Sequence, residues 1–190
     1  MDHAAGSDAP APRALPAQLG RYELLRELGS GGMASVYLGR MRLSGGLERL
    51  VAVKTIHDHL ADQTSFVDMF LDEASIATQI THPNVCSVHD FGEAEGTYYL
   101  AMEYLAGEPL VAVVQRLRER ADDAQVADVR PFLAARIVAD ACEGLHAAHE
   151  TRGAQGQRLE VVHRDVSPQN LFVTYDGSVK VVDFGCAKAI

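Results

Sequence analysis

His163-Arg164-Asp165-Val166-Ser167-Pro168-Gln169-Asn170, followed downstream by Asp183-Phe184-Gly185, is the stretch on which the reading of this chain turns. Both polar runs are framed by short apolar segments: Val161-Val162 before the first, Leu171-Phe172-Val173-Thr174 after it, and Val179-Lys180-Val181-Val182 before the second. Between the last two segments lies Tyr175-Asp176-Gly177-Ser178, whose Asp-Gly pair is a strong hairpin signal. The two polar runs are therefore expected as loops delivered by neighbouring strands.

Toward the N-terminus the pattern becomes helical. Leu110 to Arg120 and the stretch Pro131 to Glu150 read as helices, with Ile137, Ala141, Leu145 and Ala148 recurring at helical spacing. Further upstream the runs shorten and turn strand-like: RYELLREL from Arg21, VYLGRM, RLVAVKTI, then VCSVHDF and TYYLAMEY after His82-Pro83-Asn84. One helical pattern, about Thr64 to Ile80, interrupts them. The reading is α+β: a lobe of five strands plus one helix over 21–108, then a helical lobe over 109–190. Residues 1–20 carry Pro10, Pro12 and Pro16 among Ala, Gly and Ser and are expected as a disordered leader.

Within RLVAVKTI the period of two puts Leu50, Ala52, Lys54 and Ile56 on one face, which leaves an ammonium among apolar neighbours. Such a group needs an anion, or it must snorkel to water. In the following helix Phe66, Phe70, Glu73, Ala77 and Ile80 share a narrow stripe, while Asp68, Asp72 and Gln79 point elsewhere. A carboxylate on an apolar face is costly unless paired. Pairing Lys54 with Glu73 satisfies both residues.

Leu28-Gly29-Ser30-Gly31-Gly32-Met33-Ala34-Ser35-Val36 is a glycine run of the kind that lets a backbone approach a polyphosphate and turn its N–H groups toward the oxygens. A dinucleotide-binding turn needs a helix directly after it, whereas Val36-Tyr37-Leu38 continues as a strand. No GxxxxGK[ST] run occurs, which excludes a P-loop ATPase.

In this order, the glycine run, VAVK, the helix glutamate, HRDxxxxN and DFG resemble the protein kinases, and GGMASVYL with HRDVSPQN is most similar to the bacterial eukaryotic-like serine/threonine branch. The resemblance runs from Arg21 to the last residue. It implies a two-lobed kinase-like fold, ATP and Mg²⁺ as cofactors, and a protein substrate that the sequence does not name. By the same resemblance Asp165 accepts the proton of the acceptor hydroxyl, Asn170 and Asp183 hold Mg²⁺, and Lys54, clamped by Glu73, contacts the phosphates. Gly29, Ser30, Gly31 and Gly32 would cover the phosphates. Met102, Glu103 and Leu105 would form the hinge, and Val36, Ala52 and Leu171 would sandwich the adenine. His163 matches a structural histidine of the motif.

Two departures accompany the resemblance. Ser167 stands where serine/threonine kinases usually carry a lysine that contacts the γ-phosphate. After Gly185 only five residues remain, so the activation segment, the APE motif and the later helices implied by the family are not in this sequence. Their absence is expected to bare apolar surface on the Pro131–Glu150 helix and to invite self-association. A catalytically defective nucleotide-binding or interaction module, and a small-molecule phosphotransferase, stay open as alternatives at this point.

Composition narrows the classes further. The 17 Lys and Arg against 26 Asp and Glu give a formal charge of −9, which disfavours a grip on nucleic acid or anionic membrane. Three cysteines, Cys86, Cys142 and Cys186, make neither a CxxC pair nor an even set, so no disulfide framework or structural zinc is indicated. His146 and His149 are spaced for a shared metal but lack a third ligand. With no secretory start and no bilayer-length apolar run, a cytoplasmic setting is expected.

Overall fold

The run of β-branched residues in Glu48–Ile56 makes this strand the centre of the larger sheet. In the computed structural model, which describes residues 18–153 and 155–184, the elements in chain order are β1 (Gln18–Leu19), β2 (Tyr22–Ser30), β3 (Ala34–Arg42), β4 (Glu48–Ile56), α1 (Asp58–Ala61), α2 (Thr64–Ala77), β5 (Val88–Ala94) and β6 (Thr97–Glu103). They are followed by β7 (Gly107–Pro109), α3 (Leu110–Glu119), α4 (Ala124–His149), β8 (Leu171–Thr174) and β9 (Val179–Val181). The first six strands form one antiparallel sheet in the order β1-β2-β3-β4-β6-β5.

Register decides what each face does. Val36 lies opposite Lys54, which lies opposite Leu100, and Leu38, Ala52 and Met102 form the next row. Opposed residues share a face, so these rows look toward α2, whose Val67, Phe70 and Ala74 pack with Ile56 and Leu100. The other face buries Val51, Val53 and Ala101 with Tyr22 and Tyr99. Gly39 is required there, because a Cβ would meet Val53 Cγ2 at 2.9 Å.

A second sheet, β7-β8-β9, lies with α3 and α4. The two halves share a core: Ile76 and Ile80 meet Val85, Ala141, Ala148, Val161, Leu171, Val181 and Phe184. Backbone bonds stitch the same seam, with Val181 N–H donating to Asn84 O at 2.8 Å and Cys86 N–H to Val181 O at 2.9 Å. Gly144 permits the approach of α4, since a Cβ would stand 2.5 Å from the Asn84 carbonyl.

Four details differ from the sequence reading. The sheet has six strands rather than five, because Gln18 and Leu19 pair with Glu23 and Tyr22 and bury Leu19. The remainder of the expected leader, residues 1–17, lies outside the described residues. A short helix, α1, precedes α2, so this half carries two helices. The fifth strand starts at Val88, because Val85 instead bridges to Val181 in the seam. Helix α4 begins at Ala124, well before Pro131, because the Asp123 carboxylate caps it by accepting from the N–H groups of Gln125 and Val126 at 3.0 and 3.3 Å.

Candidate active site

The glycine run is the tip of the β2–β3 hairpin. Gly29 pairs with Val36 and Ser30 with Ser35, the two serine hydroxyls stand 2.9 Å apart, and Gly31 N–H donates to Ala34 O at 2.9 Å. None of Gly29, Gly31 and Gly32 has positive φ, and a Cβ on Gly29 or Gly32 would meet nothing within 4 Å. The chain's own packing therefore does not demand glycine at these positions. What the glycines leave is open space for a group approaching from outside.

Beneath the tip, β4 projects Lys54 and α2 projects Glu73. Lys54 Nζ donates to both carboxylate oxygens of Glu73 at 2.8 Å and to Asp183 Oδ1 at 3.1 Å. Lys54 is 15% and Glu73 7% exposed, against 48% for Asp183. Burial alone would pull the Lys54 ammonium down, but Glu73 and Asp183 outweigh it and hold the group above its ordinary value. Burial raises the Glu73 carboxyl, with the attraction of Lys54 opposing. A doubly accepted, short contact is the geometry of an ion pair.

The loop from His163 to Asn170 is fastened from several sides. Asn170 Nδ2 donates to Asp165 Oδ2 at 2.8 Å and to the Asp165 carbonyl at 2.9 Å, and Val182 N–H donates to Asn170 O at 3.0 Å. His163 is 2% exposed. Its Nε2 donates to Val182 O at 3.1 Å, its Nδ1 accepts from Asp165 N–H at 3.3 Å, and its ring lies 4.7 Å from that of Phe184. His163 is thus fully occupied in holding Asp165 and the strand end before Asp183. Arg164 and Asp183 both take left-handed backbone angles, φ +66° and +61°. Such angles in side-chain-bearing residues cost free energy and persist only where surrounding contacts enforce them.

A cavity of about 480 Å³ opens between the glycine tip and these groups. Of the residues singled out from sequence, Gly29, Ser30, Gly31, Gly32, Val36, Lys54, Glu73, Asp165 and Asp183 line it. Asn170 is brought to it through its bonds to Asp165. Ala52 and Met102 sit one row further along the same sheet face, and Leu171 is buried in the shared core. Glu103 ends β6, and Leu105 follows in the link to β7; neither lines this cavity. Sequence reasoning missed Met33, Ala34, Ile56, Phe66, Met69 and Phe70 as lining residues. For Phe66 and Phe70 a signal existed, since both share the helical stripe of Glu73, whereas nothing marked Met69. Among the described residues no group of three or more His, Cys, Asp or Glu is gathered for a metal.

Residues 22–190 match the family model described as protein kinase domain. The chain belongs to the protein kinase domain family. Among its relatives, the tyrosine-protein kinase MasK of Myxococcus xanthus is 44% identical over 170 residues, covering 90% of this chain and 26% of that protein. The serine/threonine-protein kinase PrkC of Bacillus subtilis is 33% identical, covering 90% and 23%, and the serine/threonine-protein kinase PknA of Mycobacterium tuberculosis is 36% identical, covering 95% and 38%. The chain therefore spans about a quarter to two fifths of these relatives. Of solved structures, the crystal structure of the Mycobacterium tuberculosis PknI kinase domain superposes with a TM-score of 0.63 at 30% identity, covering 88% of this chain and 61% of that one. The two-lobed kinase fold inferred from the motifs is the fold of this chain. Among the described residues no helix is long and apolar enough to cross a membrane.

Proposed function

We propose that this chain forms the nucleotide-binding and catalytic-loop part of a protein kinase that transfers the γ-phosphate of ATP to serine or threonine hydroxyls, in the cytoplasm. One observation carries the reading: Lys54, Glu73, Asp165 and Asp183 converge on a single cavity beneath a glycine-rich hairpin. Coincidence does not gather an ammonium, its buried counter-ion and two carboxylates around open glycines.

In this reading Lys54, kept charged by Glu73, contacts the α and β phosphates. The glycine tip covers the phosphate chain, and the space left at Gly29 and Gly32 suits a bulky anion. Asp165 orients the acceptor hydroxyl and takes its proton as the oxygen bonds to the γ-phosphorus and the bridging oxygen leaves with ADP. Asn170 fixes the Asp165 carboxylate from the side. The adenine would lie against Val36, Ala52 and Leu171 and bond to backbone of Glu103 and Leu105, past Met102. Asp183 and Asn170 would hold Mg²⁺, since both offer hard oxygen donors of the kind that ion takes. When bound, Mg²⁺ neutralises charge on the phosphate oxygens.

Serine/threonine acceptance is supported by the names of PrkC and PknA. A tyrosine acceptor is the second reading, favoured by the 44% identity to a protein named as a tyrosine kinase. Self-association belongs to the same proposal, since Phe132, Val138 and Val129 on α4 stand exposed.

Transfer from γ-labelled ATP by the product of the full reading frame tests the reading, with phosphoamino-acid analysis of the acceptor. Label on serine or threonine that disappears in Asp165→Asn is expected, whereas label on tyrosine overturns the acceptor class. No transfer by a folded protein that binds the nucleotide overturns the enzyme.

A further inference from the structure

Glycines at 29, 31 and 32 give the hairpin tip a wide conformational range. If its amides are to be ready for a polyphosphate, something outside the hairpin has to set its position, because ordering a loose loop on binding weakens affinity. One residue does this here. His57, immediately after β4, reaches the tip by two hydrogen bonds: its backbone N–H donates to Met33 O at 3.0 Å, and its ring Nε2 donates to Gly31 O at 2.9 Å. With a carbonyl as partner, the ring nitrogen carries the proton.

The two acceptors flank Gly32. The backbone bond continues the β3–β4 ladder one rung past the Ala34–Ile56 pair. The ring bond is different in kind, since only a side chain with a donor at that reach supplies it. The imidazole is in turn stacked on His59, with centroids 5.5 Å apart and planes 17° from parallel, which restricts its rotation.

Peptide geometry carries the effect to the ligand side. In a planar trans peptide the C=O and the following N–H point in opposite directions. Holding the Gly31 and Met33 carbonyls toward His57 therefore turns the N–H groups of Gly32 and Ala34 away from it. Gly32 and Ala34 line the cavity, and His57 does not. We propose that His57 is a positioning residue that presets the glycine tip for the phosphate chain of the nucleotide, an inference that rests on the nucleotide reading above. It touches no reacting atom.

The test compares phosphate-bearing and phosphate-free ligands on the same protein. His57→Ala keeps the backbone bond and removes the ring bond and the stack. Calorimetric affinity for a Mg²⁺-bound, non-hydrolysable ATP analogue should weaken roughly 5–10-fold, as for loss of one hydrogen bond, while adenosine affinity is unchanged. His57→Gln, which restores a side-chain donor, should recover most of the loss. In the nucleotide-free protein, amide exchange over the peptide containing Gly32 and Met33 should quicken in His57→Ala. Equal losses for adenosine and the ATP analogue, or no loss for either, overturn the role in phosphate binding. Should the wild-type protein bind no nucleotide, the proposed function falls, and the exchange measurement alone decides the anchor: an unchanged rate overturns it as well.

Discussion

Lys180 Nζ donates to Glu103 Oε1 at 2.7 Å, joining the strand that precedes Asp183 to the last residue of β6. Lys180 is 14% and Glu103 26% exposed, and the same carboxylate oxygen also accepts the Ser87 N–H at 2.7 Å. The pair is sheltered enough for its loss to be felt. Lys180→Met should lower the unfolding free energy by on the order of 1–3 kcal/mol, since a largely buried carboxylate loses its cation. Adding Glu103→Gln should recover part of it. Urea unfolding measures this, and an unchanged midpoint in Lys180→Met would show that the pair contributes nothing.

The Lys54–Glu73 pair predicts a similar asymmetry on a larger scale. Lys54→Met leaves Glu73 buried without its cation and should cost roughly 3–5 kcal/mol. The double variant Lys54→Met/Glu73→Leu removes both charges and should be closer to wild type in stability while remaining unable to grip a triphosphate. Paired denaturation and nucleotide titration separate the two effects. A double variant as unstable as Lys54→Met would refute the coupling.

How much of this was legible in sequence depends on whether a residue's role is local. Lys54 and Glu73 could be placed because periods of two and 3.6 reveal a charge on an apolar face, and each is read within its own element. The same holds for the β8–β9 hairpin, where Asp176-Gly177 dictates the turn and Gly177 takes φ +88°. Long-range pairing is a different matter. The strand Gln18–Leu19 is two residues long, exists only because Tyr22 and Glu23 offer partners, and carries no periodicity. Val85 reads as part of a strand, yet its neighbour in space is Val181, a partner that no local pattern names. The start of α4 was legible in principle, because Asp123 is a good N-cap, but Pro131 masked it as an apparent first-turn proline. His57 was invisible for the reason that made Val85 so: its meaning lies in what the hairpin tip does above it.

Tyr22 gives a pH test. Burial, aided by the bond its phenol donates to Asp90 at 3.0 Å and opposed by Arg21, pushes the phenol up from about 10 to about 12. The folded value is raised, so its stabilisation is fully present below about 10 and is lost as pH rises through about 12. Tyrosinate absorbance should show Tyr22 ionising well after an ordinary exposed tyrosine. Tyr99 is also raised by burial, so in Tyr22→Phe the late ionisation should lose one tyrosine's amplitude, and stability at neutral pH should fall by about 1 kcal/mol. A late amplitude that is undiminished in Tyr22→Phe would contradict the assignment to Tyr22.

Cys86 and Cys142 should differ in reactivity. Burial, with Glu103 adding to it, pushes the Cys86 thiol up to about 12, and Cys86 is buried whereas Cys142 is exposed. Because the thiolate is the nucleophile, alkylation of the native protein at mildly alkaline pH should modify Cys142 and spare Cys86, as read by peptide mass mapping. Equal labelling of the two in folded protein would contradict the placement of Cys86 between Val181 and Glu103.

Calorimetry of a non-hydrolysable ATP analogue, with and without Mg²⁺, tests most directly whether Lys54, Asp165 and Asp183 form one nucleotide site. Saturable one-to-one binding is predicted, with a dissociation constant between about 1 μM and 1 mM. It should weaken at least ~10-fold on Mg²⁺ removal or in Asp183→Ala, each of which removes charge compensation from the phosphates. Binding that is absent from folded protein, or that ignores both Mg²⁺ and Asp183, would contradict the account.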